Sequence, residues 1–78
     1  MSEMSAQARG REYPVTVTVD DSDWPTHAVA RMRWRDNELY GVGQIRAGEL
    51  FPDHASERLA VSRALADLAG RIRANTGT

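Results

Sequence analysis

The residues able to do proton or metal chemistry in this sequence are few. The candidates worth testing are His27 and His54, the serines Ser22, Ser56 and Ser62, and the acidic run Asp20, Asp21 and Asp23. A calcium loop built on Asp20 needs alternating oxygen ligands, a glycine at its sixth position and a glutamate at its twelfth. Pro25 holds the sixth position and no glutamate holds the twelfth, so the run reads as a solvated turn. The histidines lack zinc spacing, and no cysteine completes a ligand set. No serine lies in a G-x-S-x-G elbow. Gly41-Val42-Gly43 has neither the third glycine nor the following helix of a dinucleotide fingerprint, and better suits close helix-on-sheet packing. No catalytic, metal-binding or cofactor-binding residue is therefore assigned. No cofactor, no small-molecule substrate and no enzymatic activity are expected.

Arginine is the remaining chemistry-bearing type. All ten basic residues are arginine, set against eleven acidic ones for a formal charge of −1. That balance excludes a wholly basic nucleic-acid binder, but it is an average. Residues 28–46 hold Arg31, Arg33, Arg35 and Arg46 against Asp36 and Glu38, a local excess of positive charge. Guanidinium groups with an aromatic among them can contact phosphates and stack on bases. Arg31, Arg33, Arg35, Tyr40 and Arg46 are accordingly the candidate RNA- or partner-binding residues. Two further readings stand beside this one. The arginines could line an ordinary wet sheet face, with Arg35–Glu38 and Arg33–Tyr40 as cross-strand pairs. Alternatively Val29 and Val42, with Tyr40, could mark a dimer contact on a bare sheet face.

These residues need elements to hold them. Tyr13 to Val19 alternates apolar and polar with β-branched residues, the pattern of a half-buried strand. Pro14 assigns that strand to a sheet edge. Alternation resumes from Thr26 to Arg35, with Ala28, Ala30, Met32 and Trp34 on one face and His27, Val29 and the arginines on the other. A turn at Asp36-Asn37 leads into a third strand, Glu38 to Arg46. This turn pairs Arg35 with Glu38, Trp34 with Leu39 and Arg33 with Tyr40. It also sets Met32 against Gly41 and Ala30 against Gly43. The resulting apolar face is low in the middle, where glycine and alanine leave backbone nearly bare.

A helix follows from about Ser56 to Ala74, capped by Ser56 or Asp53, with Glu57 in its first turn. Val61, Ala64, Leu65, Leu68 and Ile72 form its apolar stripe, flanked by Ala69. Arg63, Asp67 and Arg71 form a polar flank. Leu59 lies off the stripe, and reads either as a second dimer contact or as a core residue of the first turn. The fold class is α+β: a three-stranded antiparallel meander with one C-terminal helix across one face, β-β-β-α.

At 78 residues one small domain is expected. Residues 1–12 read as a disordered N-terminal arm, 13–75 as the domain and 76–78 as a C-terminal end. Without cysteine there is no disulfide framework. No signal peptide and no run of about 18 apolar residues is present, so no membrane association and a cytoplasmic location are expected.

The segments Val15 to Gly43 (VTVTVDDSDWPTHAVARMRWRDNELYGVG) and Leu59 to Ala69 (LAVSRALADLA) carry a family resemblance. Thr26 to Trp34, Gly41-Val42-Gly43 and Ala60 to Ala69 follow, in order and spacing, the pattern of a small actinobacterial family of unknown function. That family has a fold like the double-stranded-RNA-binding domain, and the resemblance covers roughly residues 13–73. It implies a homodimeric, non-enzymatic protein of stress or dormancy, related in structure to ribosome hibernation-promoting factors, with RNA or the ribosome as partner. Ser56, Glu57 and Arg58 stand where double-stranded-RNA-binding domains have a lysine-rich helix start, which directs the RNA reading to the sheet face. A homodimeric protein-interaction module without nucleic-acid binding is the alternative.

Overall fold

The computed structural model describes residues 10–22, 25–46, 48–49 and 53–75, the side chains of 53 and 54 excepted. The expected arm over residues 1–9, the end at 76–78, and Asp23 and the His54 side chain lie outside the described residues. The element order is β1 (Val15–Asp20), β2 (His27–Trp34), β3 (Asn37–Gln44) and α1 (Asp53–Asn75). The three strands form one antiparallel sheet in the order β1-β2-β3, so β2 is central and β1 and β3 are the edges. This is the β-β-β-α arrangement expected from the sequence, with α1 packed on one face.

The hairpin register differs from expectation by two residues. Trp34 faces Asn37, Met32 faces Leu39, Ala30 faces Gly41 and Ala28 faces Gly43. The turn residues are thus Arg35 and Asp36, and not Asp36 and Asn37. Arg35 takes a positive φ of 59°, a conformation costing a non-glycine residue about 1 kcal/mol or more. Packing accounts for the exchange. The observed register sets Gly41 and Gly43 against the two alanines, so the smallest residues of both strands lie side by side. The expected one would have placed Met32 beside that lane. A slip of two keeps every side chain on its own face, so the division into apolar and arginine-bearing faces is unchanged.

The lane is where α1 sits. Ala28, Ala30, Ala60 and Ala64 are fully buried, and Met32, Ile45 and Leu68 complete the core. A Cβ on Gly41 would run into the Ala64 carbonyl oxygen and the Leu68 backbone nitrogen. One on Gly43 would meet the Ala60 carbonyl oxygen and the Ala64 nitrogen. Helix backbone therefore rests directly on strand backbone. This contact also corrects the helix stripe. Ser56, Ala60, Ala64 and Leu68 face the sheet, while Leu65 is 42% exposed and Val61 and Ile72 are half-buried at the side. Of the expected stripe, Ala64 and Leu68 are buried and Val61 and Ile72 pack against the core from the side, while Leu65 is turned away from the sheet. Leu59 is half-buried and packs against the core cluster.

The helix begins at Asp53, three residues before the expected start, so Ser56 is not its cap but a buried residue of its first turn. Nothing between Pro52 and Ser56 opposes helix, and acidic residue types in the first turn suit the helix dipole. Because α1 lies over β3 and β2 and barely touches β1, apolar residues near β1 stay open. Val15 is 41% and Tyr13 48% exposed. Tyr13 packs its ring on Trp34 with centroids 5.2 Å apart.

Candidate nucleic-acid interface

The face of the sheet opposite α1 is built by alternation. Thr16, Thr18 and Asp20 come from β1, His27, Val29, Arg31 and Arg33 from β2, and Glu38, Tyr40, Val42 and Gln44 from β3. The register lines them in rows. Thr16, Arg31 and Tyr40 form one row, Thr18, Val29 and Val42 the next, and Asp20, His27 and Gln44 the last. Arg33 lies opposite Glu38. Arg31 and Arg33 are exposed and stand about 7 Å apart along β2. Tyr40 is 48% exposed beside Arg31, and its hydroxyl donates to Glu38 Oε1 at 2.9 Å. That bond holds the ring in place and raises the tyrosine pKa, because Glu38 accepts the phenol proton only while the hydroxyl is neutral.

The expected cross-strand pairs are thereby replaced. Arg31, and not Arg33, lies opposite Tyr40, and Arg33, and not Arg35, lies opposite Glu38. Arg35 leaves the set altogether. As a turn residue with positive φ it places its guanidinium carbon 5.8 Å from the centre of the Trp34 ring. That ring belongs to the helix-bearing side, and the cation is drawn to its π-face. Arg46, beyond the end of β3, is exposed. It lines a shallow depression of about 330 Å³ at the outer edge of β3, with Arg63, Val42, Gln44 and Ala66. The sheet face proper thus gathers Arg31, Arg33 and Tyr40, with Val29 and Val42 as its apolar centre.

At the other end of the face Asp20 Oδ2 lies 3.9 Å from His27 Nε2. Asp20 also accepts hydrogen bonds from the Ser22 amide at 3.0 Å and the Ser22 hydroxyl at 2.6 Å. These donors hold its pKa below the ordinary value, with a smaller contribution from His27. The acidic run is therefore tied into its own turn. Among the described residues, no group of three or more histidine, cysteine, aspartate or glutamate side chains could hold a metal.

One construction escaped the sequence reading. Arg63 on α1 makes a bidentate pair with Glu49, Nη1 to Oε1 at 2.8 Å and Nη2 to Oε2 at 2.6 Å. Its Nη1 also donates to the Gln44 carbonyl oxygen at 2.8 Å. Glu49 further accepts the Arg46 amide at 2.7 Å, and the Glu49 amide returns a bond to the Arg46 carbonyl. Hydrogen bonds from Arg63 and Arg46 pull the Glu49 pKa down to about 2. One helix turn further on, Asp67 Oδ2 accepts the Val42 amide at 2.8 Å. The polar flank Arg63–Asp67 was visible as helix amphipathicity. Its partners were not, because they depend on where the helix lies across the sheet.

Comparison with known proteins gives concordant results. The sequence profile of the Rv2632c-like family matches residues 11–77. The uncharacterized protein Mb1767 of Mycobacterium bovis is 40% identical over 65 residues, covering 80% of this chain and 68% of that protein. The uncharacterized protein Rv2632c of Mycobacterium tuberculosis is 32% identical over 71 residues, covering 88% and 76%. The crystal structure of Rv2632c superimposes with a TM-score of 0.75 at 34% identity, covering 87% of this chain and 83% of that one. No helix among the described residues is long and apolar enough to cross a membrane.

Proposed function

This chain belongs to the Rv2632c-like family, a small mycobacterial family of unknown function, and from that premise we propose that it is a non-enzymatic, dimeric cytoplasmic protein that contacts RNA, on the ribosome or free, through the helix-free sheet face under stress. The observation that carries this reading is the juxtaposition of Arg31, Arg33 and Tyr40 on one exposed surface. Two guanidinium groups present charge to phosphates, and an aromatic ring fixed by Glu38 presents a surface to a base. The family resemblance of the sequence implies RNA or the ribosome as partner, which is in keeping with this reading. Arg46 extends the positive surface around the edge of β3 towards Arg63.

The test is ribosome co-sedimentation and RNA titration at several salt concentrations. Binding falls as salt rises, and Arg31→Glu/Arg33→Glu weakens it, with about one unit of log–log salt slope lost for each phosphate contact removed. Tyr40→Leu weakens binding without changing that slope. Binding unaffected by the double charge reversal overturns the site. A second reading rests on Val29 and Val42, which face each other at the centre of the same surface, Val42 with 50% of its area exposed. In that reading the face takes a protein. Capture of a nuclease-resistant partner, lost on Val42→Asp and kept in Arg31→Glu, would favour it.

A further inference from the structure

An open sheet has two edges, and in this molecule they are treated differently. In an antiparallel ladder the N–H and C=O of a residue point the same way, and the direction alternates along the strand. The Val42 amide donates outward to Asp67, and the Gln44 carbonyl accepts outward from Arg63. On β3 the even-numbered residues therefore face the outer edge, and helix side chains occupy that edge. The Ile45 amide, donating to the Thr26 carbonyl, confirms that odd-numbered residues face β2. Carried through both registers, this alternation turns the odd-numbered residues of β2 toward β1. Thr16, Thr18 and Asp20 then bond to β2, and the N–H and C=O groups of Val15, Val17 and Val19 point out from the other edge. Among the described residues no side chain hydrogen-bonds to this second edge.

We infer that the β1 edge is where two copies of this chain join, by antiparallel pairing of β1 with β1 about Val17. The inference rests on the dimeric part of the function proposed above. It commits to a second copy because the segment is complementary to itself. With Val17 opposite Val17 of the partner subunit, Val15 meets Val19 of the partner subunit and Thr16 meets Thr18 of the partner subunit. Asp20 falls opposite Pro14 of the partner subunit, so no like charges oppose one another. All outward groups along the segment belong to valines, each with an N–H. Pro14 is even-numbered and its nitrogen turns toward β2, so it removes nothing from the new ladder. Such a β-branched edge, charged only at its terminal Asp20 and without a bulge or outward proline, is the kind that pairs with another strand.

The faces also match. Both helices come to lie on the same side of a six-stranded sheet, and α1, lying over β3 and β2, does not obstruct β1. The exposed Val15 and Tyr13 then flank the junction on that side. On the opposite side the two sets of Arg31, Arg33 and Tyr40 share one continuous surface. At about 4.8 Å per strand, the two copies of β2 are roughly 14 Å apart and the two copies of β3 roughly 24 Å apart. The dimer so formed is bivalent toward a single extended polyanion.

The experiment is light-scattering mass with hydrogen exchange on the full chain. The parent protein is expected to be a dimer whose Val15, Val17 and Val19 amides are protected. Thr16→Lys/Thr18→Lys and Thr16→Glu/Thr18→Glu change only exposed side chains. Each is expected to be a folded monomer in which those amides exchange at least tenfold faster, and mixing the two restores the dimer. A monomeric parent overturns both this inference and the dimeric reading. Dimers that persist in both charged variants, or fast exchange of the three amides in a dimeric parent, overturn the β1 edge alone. A mixture that stays monomeric refutes the pairing of Thr16 with Thr18 of the partner subunit.

Discussion

The glycine lane makes the sharpest claim about why this chain folds as it does. Gly43→Ala places a Cβ against helix backbone at Ala60 and Ala64 and 2.7 Å from Arg63 Cβ. Gly41→Ala does the same at Ala64 and Leu68, 2.7 Å from Leu68 Cα. Ordinary contact begins at 3.4 Å, so α1 must retreat by roughly 1 Å along its length, because backbone on both sides leaves no side chain to swing away. A core forced apart in this way loses about 1–3 kcal/mol, and these positions belong at the upper end, near 3 kcal/mol each. A domain of about 60 residues has only roughly 3–9 kcal/mol in total. With about 4–8 °C of melting temperature per kcal/mol at this size, each single variant is expected to melt some 12–24 °C below the parent. The double variant is expected to lose its cooperative transition. Thermal melts followed by far-ultraviolet circular dichroism, with urea titration to give free energies, measure this directly. Single variants melting within about 3 °C of the parent would refute the argument that helix backbone rests on strand backbone.

Two further perturbations test other parts of the account. Gly70 lies inside α1 and, among the described residues, only the Arg73 guanidinium is near its missing Cβ, at 3.8 Å, so Gly70→Ala should gain about 1 kcal/mol of helix propensity and raise the melting temperature by roughly 4–8 °C. The same substitution then has opposite signs at Gly70 and Gly43, and an unchanged or lower melting temperature for Gly70→Ala contradicts the open surroundings. Glu49 has a folded pKa of about 2 against an ordinary 4.5. Its contribution is complete above the unfolded value and is lost as pH falls from about 5 toward 2. Urea midpoints measured from neutral to acid pH should therefore fall less steeply in Glu49→Gln than in the parent, from a lower starting value at neutral pH. Parallel acid limbs would show that the Arg63 pair adds nothing to stability.

What the sequence disclosed and what it hid divide along a physical line. Side-chain alternation has period two, so the assignment of Val29, Arg31, Arg33, Tyr40 and Val42 to one face survived an error of two residues in the hairpin register. The register itself was lost because Asp36-Asn37 is the better turn by local preference. Local preference was outweighed by seating two glycines beside two alanines under a helix. The same seating rotated α1, exchanging Leu65 for Ala60 at the sheet. Arg35 shows the functional consequence. It counted as a strand residue of the arginine face until the turn moved onto it, and its cation then went to Trp34. The clamp of Arg63 on Glu49 joins residues 14 apart through a loop, and no periodicity carries such a contact.

The position of one helix ties these features together. Seating α1 on Gly41 and Gly43 requires it to lie over β3. From there its flank reaches past the strand, so that Asp67 and Arg63 can meet the Val42 amide and the Gln44 carbonyl. A helix centred on the sheet would instead lie above β2, with both edges beyond its reach. The off-centre seat protects one edge with side chains already needed for helix packing, and it withdraws cover from the other. A covered edge at β3 and an open backbone edge at β1 are thus two results of a single choice, made by two glycines. Helix packing leaves the opposite face unconstrained, free to carry Arg31, Arg33 and Tyr40. In a variant such as Gly43→Ala, retreat of the helix should weaken the bonds to the β3 edge. The Val42 amide should then exchange faster even at temperatures where the domain stays folded, a local opening that global unfolding alone would not produce.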